Sequence, residues 1–152
     1  MLTERLDQEL TRDSGIPHTY YEVLVRLSEE PGRALRMSEL ADRSMSSRSR
    51  LSHAVSRLEE NGWVRRELCP TDRRGQVAVL TDEGFAALAA AAPGHVEGVR
   101  THLFDALTAQ QVKQLGEICG AVADRLREAC TAAEAMRELA EPDLAGRPIS
   151  AE

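Results

Sequence analysis

Apolar residues recur over the first sixty positions at intervals of three and four, the spacing of one face of an α-helix. Leu2, Leu6 and Leu10 form one stripe over residues 2–12, and Ser14-Gly15-Ile16-Pro17 ends it with strong breakers. Tyr20, Val23, Leu24 and Leu27 form a second over about 19–29, closed by Pro31-Gly32. A short helix opens at Met37–Ala41, with Ser38 placed as its N-cap. After Arg43-Ser44-Met45 the chain turns, and Ser46 or Ser47 caps a further helix that runs to Glu60 or Asn61. Asn61-Gly62 is a helix stop followed by a turn.

From Trp63 the period shortens to two. Val64–Leu68 and Gln76–Leu80 read as strands, the second carrying Val77, Val79 and Leu80, with Cys69 to Gly75 as the loop between them. The result is a β-hairpin with a basic tip. Thr81 then caps a helix with Asp82 and Glu83 in its first turn, where acids suit the dipole. It continues to about Ala92, is kinked or interrupted at Pro93-Gly94, and resumes to Ala106. Thr108–Gln111 has the capping-box pattern and opens a helix with Val112, Leu115, Cys119, Val122 and Leu126 on one face. Residues 142–152 read as a disordered tail. The fold class is mainly α with a small β-hairpin, one domain over 1–141, with no internal repeat and no dividing linker.

Composition narrows the reading. Hydrophobic residues make up 42% but aromatics only 3%, so the core must be built from Leu, Val and Ala. No apolar run approaches the roughly 20 residues that cross a bilayer, and Leu2–Leu10 alternates charge with Leu instead of forming a signal peptide. The expectation is a cytoplasmic protein with no membrane partner. The net charge of −6 would argue against nucleic acid, but its distribution reverses that argument. Residues 1–42 and 77–152 are acidic, whereas residues 43–76 hold eight Arg (43, 48, 50, 57, 65, 66, 73, 74) against four acids. A confined basic patch on an acidic body is what attraction to phosphate requires.

That patch falls on the helix after the turn. At 100° per residue, Leu51, Ala54, Val55 and Leu58 share a buried arc, and Ser49, Ser52, His53 and Ser56 lie opposite, flanked by Arg50 and Arg57. Small hydroxyls with flanking guanidinium groups can enter a DNA major groove, where Arg reads guanine through O6 and N7 together. Ser46 and Ser47 near the helix start, with free backbone N–H groups, suit a phosphate, and Arg48 beside them is a further candidate DNA contact. With the short helix before it, the segment makes a helix-turn-helix. Arg73 and Arg74 at the hairpin tip can reach a narrow minor groove.

The stretches Leu35–Ala41 (LRMSELA), Ser47–Leu58 (SRSRLSHAVSRL), Asn61–Arg66 (NGWVRR), Thr71–Gly75 (TDRRG) and Val79–Gly84 (VLTDEG) resemble the MarR family, over roughly residues 16–130. The DRRG wing followed by LTDEG is the most specific part. The resemblance implies a winged helix-turn-helix with a DNA-binding lobe at about 33–82. It also implies a helical dimerisation lobe from about 1–30 and 83–140, hence a homodimer on a pseudo-palindromic operator in double-stranded DNA. In that family small phenolic or aromatic-acid ligands often bind between the lobes and release DNA; His18, Tyr20 and Tyr21 are the candidates here. Members typically have a longer first helix than the ten or so residues that precede Ser14-Gly15. A protein-interaction module, or a ligand-independent DNA binder with weakened dimerisation, is the alternative.

Other chemistry is thinly represented. His95 and His102 share a helix face but stand about 10.5 Å apart along the axis, too far to hold one metal. Cys69, Cys119 and Cys130 have no C-x-x-C spacing and read as reduced thiols; Cys69 at the wing base reads as passive, a redox switch of the hairpin being the alternative. No nucleophile elbow, Gly-rich phosphate loop or H-E-x-x-H appears, so neither an enzyme nor a cofactor is expected.

Overall fold

The computed structural model describes residues 1–44, 47–69 and 72–140, with the side chains of 72–74, 127 and 129–140 outside the description. The helices are α1 (Leu2–Ser14), α2 (His18–Ser28), α3 (Met37–Arg43), α4 (Arg48–Glu60), α5 (Asp82–His102) and α6 (Ala109–Ala140). The strands are β1 (Ala34–Arg36), β2 (Val64–Cys69) and β3 (Asp72–Leu80). They form one antiparallel sheet in the order β1-β3-β2, with Ala78 opposite both Leu35 and Arg66. Two compact units result, Met1–Ala106 and Leu107–Glu152.

The first unit holds the core. Leu24 and Leu27 from α2, Leu40 from α3, Val55 and Leu58 from α4, and Ala78 from β3 are wholly buried together. The stripe expected on α4 is the one that is covered: Leu51, Ala54, Val55 and Leu58. Each buried Leu contributes about 1.5–3 kcal/mol of transfer free energy, so aliphatic side chains supply the cohesion that aromatics supply elsewhere.

Three local expectations are corrected. Ser38 is the second residue of α3, and the N-cap is Arg36, which makes no side-chain cap bond. The cause is β1, absent from the sequence reading: pairing with β3 holds Arg36 extended, so α3 starts directly out of a strand. The strands of the hairpin also run further than expected. Asp72–Gly75 belong to β3, with Cys69 opposite Asp72 across a register shift; residues 70 and 71 of the expected loop lie outside the described residues. Finally, Pro93 does not interrupt α5, which continues unbroken to His102 before a 3₁₀ turn at Phe104–Ala106. Pro93 is exposed among alanines, which leaves room for its ring and lets water satisfy the carbonyl it cannot bond.

Caps fix the joints. Gly62, at φ 72°, closes α4 with Gly62 N–H donating to Glu59 O (2.9 Å) and Trp63 N–H to Leu58 O (2.9 Å), the paired bonds of a Schellman motif. Thr81 Oγ accepts from Gly84 N–H at 3.0 Å and donates to Gly62 O at 2.8 Å, so one side chain ties the start of α5 to the end of α4. In the second unit, Thr108 and Gln111 form the expected capping box on α6. Ile118, Val122 and Leu126 stand exposed four residues apart along α6. Among the described residues no helix is long and apolar enough to cross a membrane. The segment 142–152, read as a tail, lies outside the described residues, as does Ser46, the alternative cap.

Candidate nucleic-acid interface

Ser47 caps α4: its hydroxyl accepts from Arg50 N–H at 3.4 Å, and its carbonyl receives Leu51 N–H at 3.0 Å. Burial of the Leu51–Leu58 stripe then forces the opposite face outward. Ser47, Arg48, Ser49, Arg50, Ser52, His53 and Arg57 are all exposed, and Ser56 is half-buried. The structure therefore brings the predicted helix face together on one surface.

Ion pairing sorts the arginines of the basic block. Arg43 pairs with Glu30, Arg57 with Glu60 at 2.7 Å, Arg65 with Glu67 at 2.7 Å and Arg66 with Glu59 at 3.0 Å. Arg48 and Arg50 have no carboxylate partner among the described residues. Among the described arginines of the block, the uncompensated positive charge thus falls on the first turn of α4, where the helix dipole adds to it. Glu60 raises the Arg57 pKa above its ordinary value through their hydrogen bond. Both side chains of that pair are exposed, and such pairs exchange partners readily.

The ribbon stands beside this face. Arg48 and Ser52 of α4 share a groove with Met37 and Ser38 of α3 and with Gly75 and Gln76 of β3. Arg73 and Arg74 lie on β3 just before Gly75, which lines that groove; their side chains are outside the described residues.

Arg66 and Glu59 were not singled out from the sequence. Arg66 reaches from β2 to α4, where one guanidinium nitrogen donates to Ser52 O (2.7 Å) and Ser56 Oγ (3.1 Å) and another pairs with Glu59. Glu59 also accepts the Arg66 backbone N–H at 2.9 Å. Ser56, expected among the DNA contacts, has its hydroxyl engaged by Arg66 and by Ser52 O at 3.0 Å. The available signal was spacing: Arg66 follows the helix stop by four residues and Glu59 precedes it by two.

The three residues offered for a ligand divide between two places. Tyr20 borders an open cleft between α2 and α4 with Pro17, Arg50 and His53. His18 and Tyr21 instead pack on His95 of α5, with ring centroids 5.5 and 4.7 Å away. His18 N–H donates to Asp7 Oδ1 of α1 at 2.7 Å, which caps the start of α2. Burial and the nearby His18 lower the His95 pKa, and burial raises that of Tyr21. His102 is separate from this cluster and bonds Glu9 of α1 at 2.9 Å.

A short helix, a turn, a second helix with an open polar face and an antiparallel ribbon leaving its end define a winged helix-turn-helix. Comparison with known proteins carries this further. A family model described as MarR family matches residues 14–75. Sco3205, a MarR family transcriptional regulator from Streptomyces coelicolor solved in complex with DNA, is 59% identical, with 82% of this chain and 81% of that one covered and a TM-score of 0.76. AbsC, a MarR family regulator from the same organism, is 42% identical over 84% of this chain and 85% of its own, with a TM-score of 0.75. PecS, an HTH-type transcriptional regulator of Dickeya dadantii, is 39% identical over 67 residues, 44% of this chain. The match spans 40% of PecS and 53% of HosA, a transcriptional regulator of Escherichia coli, so the chain aligns with about half the length of such curated relatives. The chain belongs to the MarR family of transcriptional regulators.

Proposed function

We propose that the protein is a DNA-binding transcriptional regulator that acts in the cytoplasm as a homodimer on a pseudo-palindromic operator. The observation that carries this reading is the exposed, carboxylate-free pair Arg48 and Arg50 on the capped first turn of α4. In this reading α4 enters the major groove. Arg50 and Arg57 contact base or groove edges, Ser49, Ser52 and His53 contact bases or phosphates beside them, and Ser47 and Arg48 hold a phosphate. Arg73 and Arg74 enter the adjacent minor groove. Residues 33–82 form the DNA-binding lobe, and the helices at about 1–30 and 83–140 form the dimerisation lobe. The exposed aliphatic stripe of α6 supports the latter, because such stripes on a soluble helix call for a cover.

A small aromatic carboxylate fits the cleft beside Tyr20, with its ring on the phenol and its charge on Arg50. Because Arg50 also serves DNA in this account, such a ligand would compete with the operator. His18 and Tyr21, turned toward His95, lie outside that cleft.

The test is fluorescence anisotropy of a duplex carrying the gene's own upstream region, titrated at several salt concentrations. Tight binding that weakens steeply with salt supports the proposal. Binding that is weak, salt-insensitive and indifferent to sequence defeats it.

A further inference from the structure

Resting on the DNA-binding reading, we propose that Arg66 is a positioning residue for sequence recognition: it locks the wing to the recognition helix and makes no contribution as a phosphate contact.

The geometry separates Arg66 from the other described cations of the block. It is half-buried, and three acceptors on α4 surround its guanidinium: Ser52 O at 2.7 Å, Ser56 Oγ at 3.1 Å and Glu59 Oε2 at 3.0 Å. These acceptors stand four and three residues apart, so the guanidinium spans two turns of α4. The same carboxylate receives the Arg66 backbone N–H, which fixes the strand as well as the side chain. The Arg66 Nε is buried without an acceptor, so the group is held by its two terminal nitrogens.

The consequence follows from where Arg66 sits on the ribbon. It faces Ala78 of β3, so a restraint applied there acts on both strands. Beyond it the pairing of β2 with β3 shifts register between Leu68 and Cys69. The angle between wing and α4 determines whether groove-reading by α4 and insertion of Arg73 and Arg74 can happen in the same register. Ser52 lies on the reading face and Ser56 beside it, so the tether ends where base contacts would be made. Arg66 is therefore a coupling between two readers. Lys cannot replace it, because an ammonium is a point donor while the planar fork reaches several acceptors at once.

The experiment uses the full chain, a duplex enriched from a random pool by the wild-type protein, and a scrambled duplex of the same composition. For Arg66→Lys the expected result is a fall of about tenfold in the ratio of the two affinities, with the salt slope unchanged, since the charge is kept and no phosphate contact is lost. Ser56→Ala removes one acceptor without touching the ion pair and should lower the ratio by about threefold. Arg66→Met should also leave the slope unchanged. An unaltered ratio in both Arg66→Lys and Ser56→Ala overturns the inference, as does a slope reduced by about one in Arg66→Met. If the wild type itself enriches no sequence, the DNA-binding reading fails first, and that outcome is distinguishable from the others.

Discussion

A Cβ on Gly84 would lie 2.1 Å from the carbonyl oxygen of Trp63 and 2.8 Å from Leu80 Cδ1. Gly84 is in the first turn of α5, and Trp63 follows directly on the Schellman close of α4, so the absent side chain lets two elements meet backbone to backbone. Thr81 N–H donates to that same Trp63 oxygen at 3.0 Å. The motif Leu80–Gly84 is thus a joint that clamps the base of the wing. Gly84→Ala should destabilise the fold by about 2 kcal/mol or more, because backbone has to move. Thr81→Ala should cost about 1 kcal/mol through the lost cap. Chemical denaturation followed by circular dichroism measures both; a Gly84→Ala variant as stable as wild type would contradict this account.

The arginines of the basic block should not be equivalent. Arg50→Ala should weaken DNA binding, relax sequence preference and lower the salt slope by about one. Arg57→Ala should have the smaller effect of the two, because Arg57 must first leave Glu60. Arg74→Ala should flatten the salt dependence while leaving the preferred major-groove sequence intact. Anisotropy titrations at three salt concentrations distinguish these outcomes; equal effects of Arg50→Ala and Arg57→Ala would show that ion pairing does not rank them.

If the protein is the homodimer proposed, replacing Val122 by Asp should shift it to monomer without loss of helix content. Val122 stands between Ile118 and Leu126 on the exposed stripe of α6, and a charge there opposes burial against a second copy. Light scattering after size exclusion reads the result, and a variant dimer as tight as wild type would place the interface elsewhere.

The arrangement around His95 predicts a pH dependence of stability. His95 is flanked by His18 and Tyr21 and shares a small cleft with Glu9, Asp13 and Ser14 of α1. Burial is the first cause that lowers its pKa from the ordinary 6.5, and the charge of His18 is the second. Well above pH 6.5, folded and unfolded chains are both unprotonated at this site, and it adds no pH dependence. As pH falls below 6.5 the unfolded chain takes up a proton that the folded one resists, so stability declines until the folded group also titrates. Replacement by Asn should make the fall in Tm between about pH 7.5 and pH 5.5 shallower. An unchanged slope would assign that dependence to other groups. Loss of the Glu9–His102 pair belongs to a lower window, since Glu9 is shifted below the ordinary carboxylate value by its bond to His102.

Periodicity alone located the helices and the hairpin, because the Leu51–Leu58 stripe and the run around Val77–Leu80 are each dictated by which face must be covered. It could not find β1, whose three residues carry one buried side chain and exist only because β3 offers them partners. Ser38 misled for the same reason, since a strand supplied the start of α3 that a cap would otherwise mark. The exposed Ser/Arg face of α4 was legible because it is simply what the buried stripe leaves over. The pairing of each arginine was not legible: Glu59, Glu60, Glu67 and Glu30 are assigned to particular guanidinium groups only by the fold. The same holds for Tyr20 and Tyr21, neighbours in sequence that face α4 and α5 respectively.

Selection of duplexes from a random pool tests the central claim most directly. The account predicts an enriched sequence with two-fold symmetry, its half-sites centred about 10 base pairs apart, as two recognition helices of a dimer require. Enrichment of an unsymmetrical single site, or no enrichment at all, would contradict it.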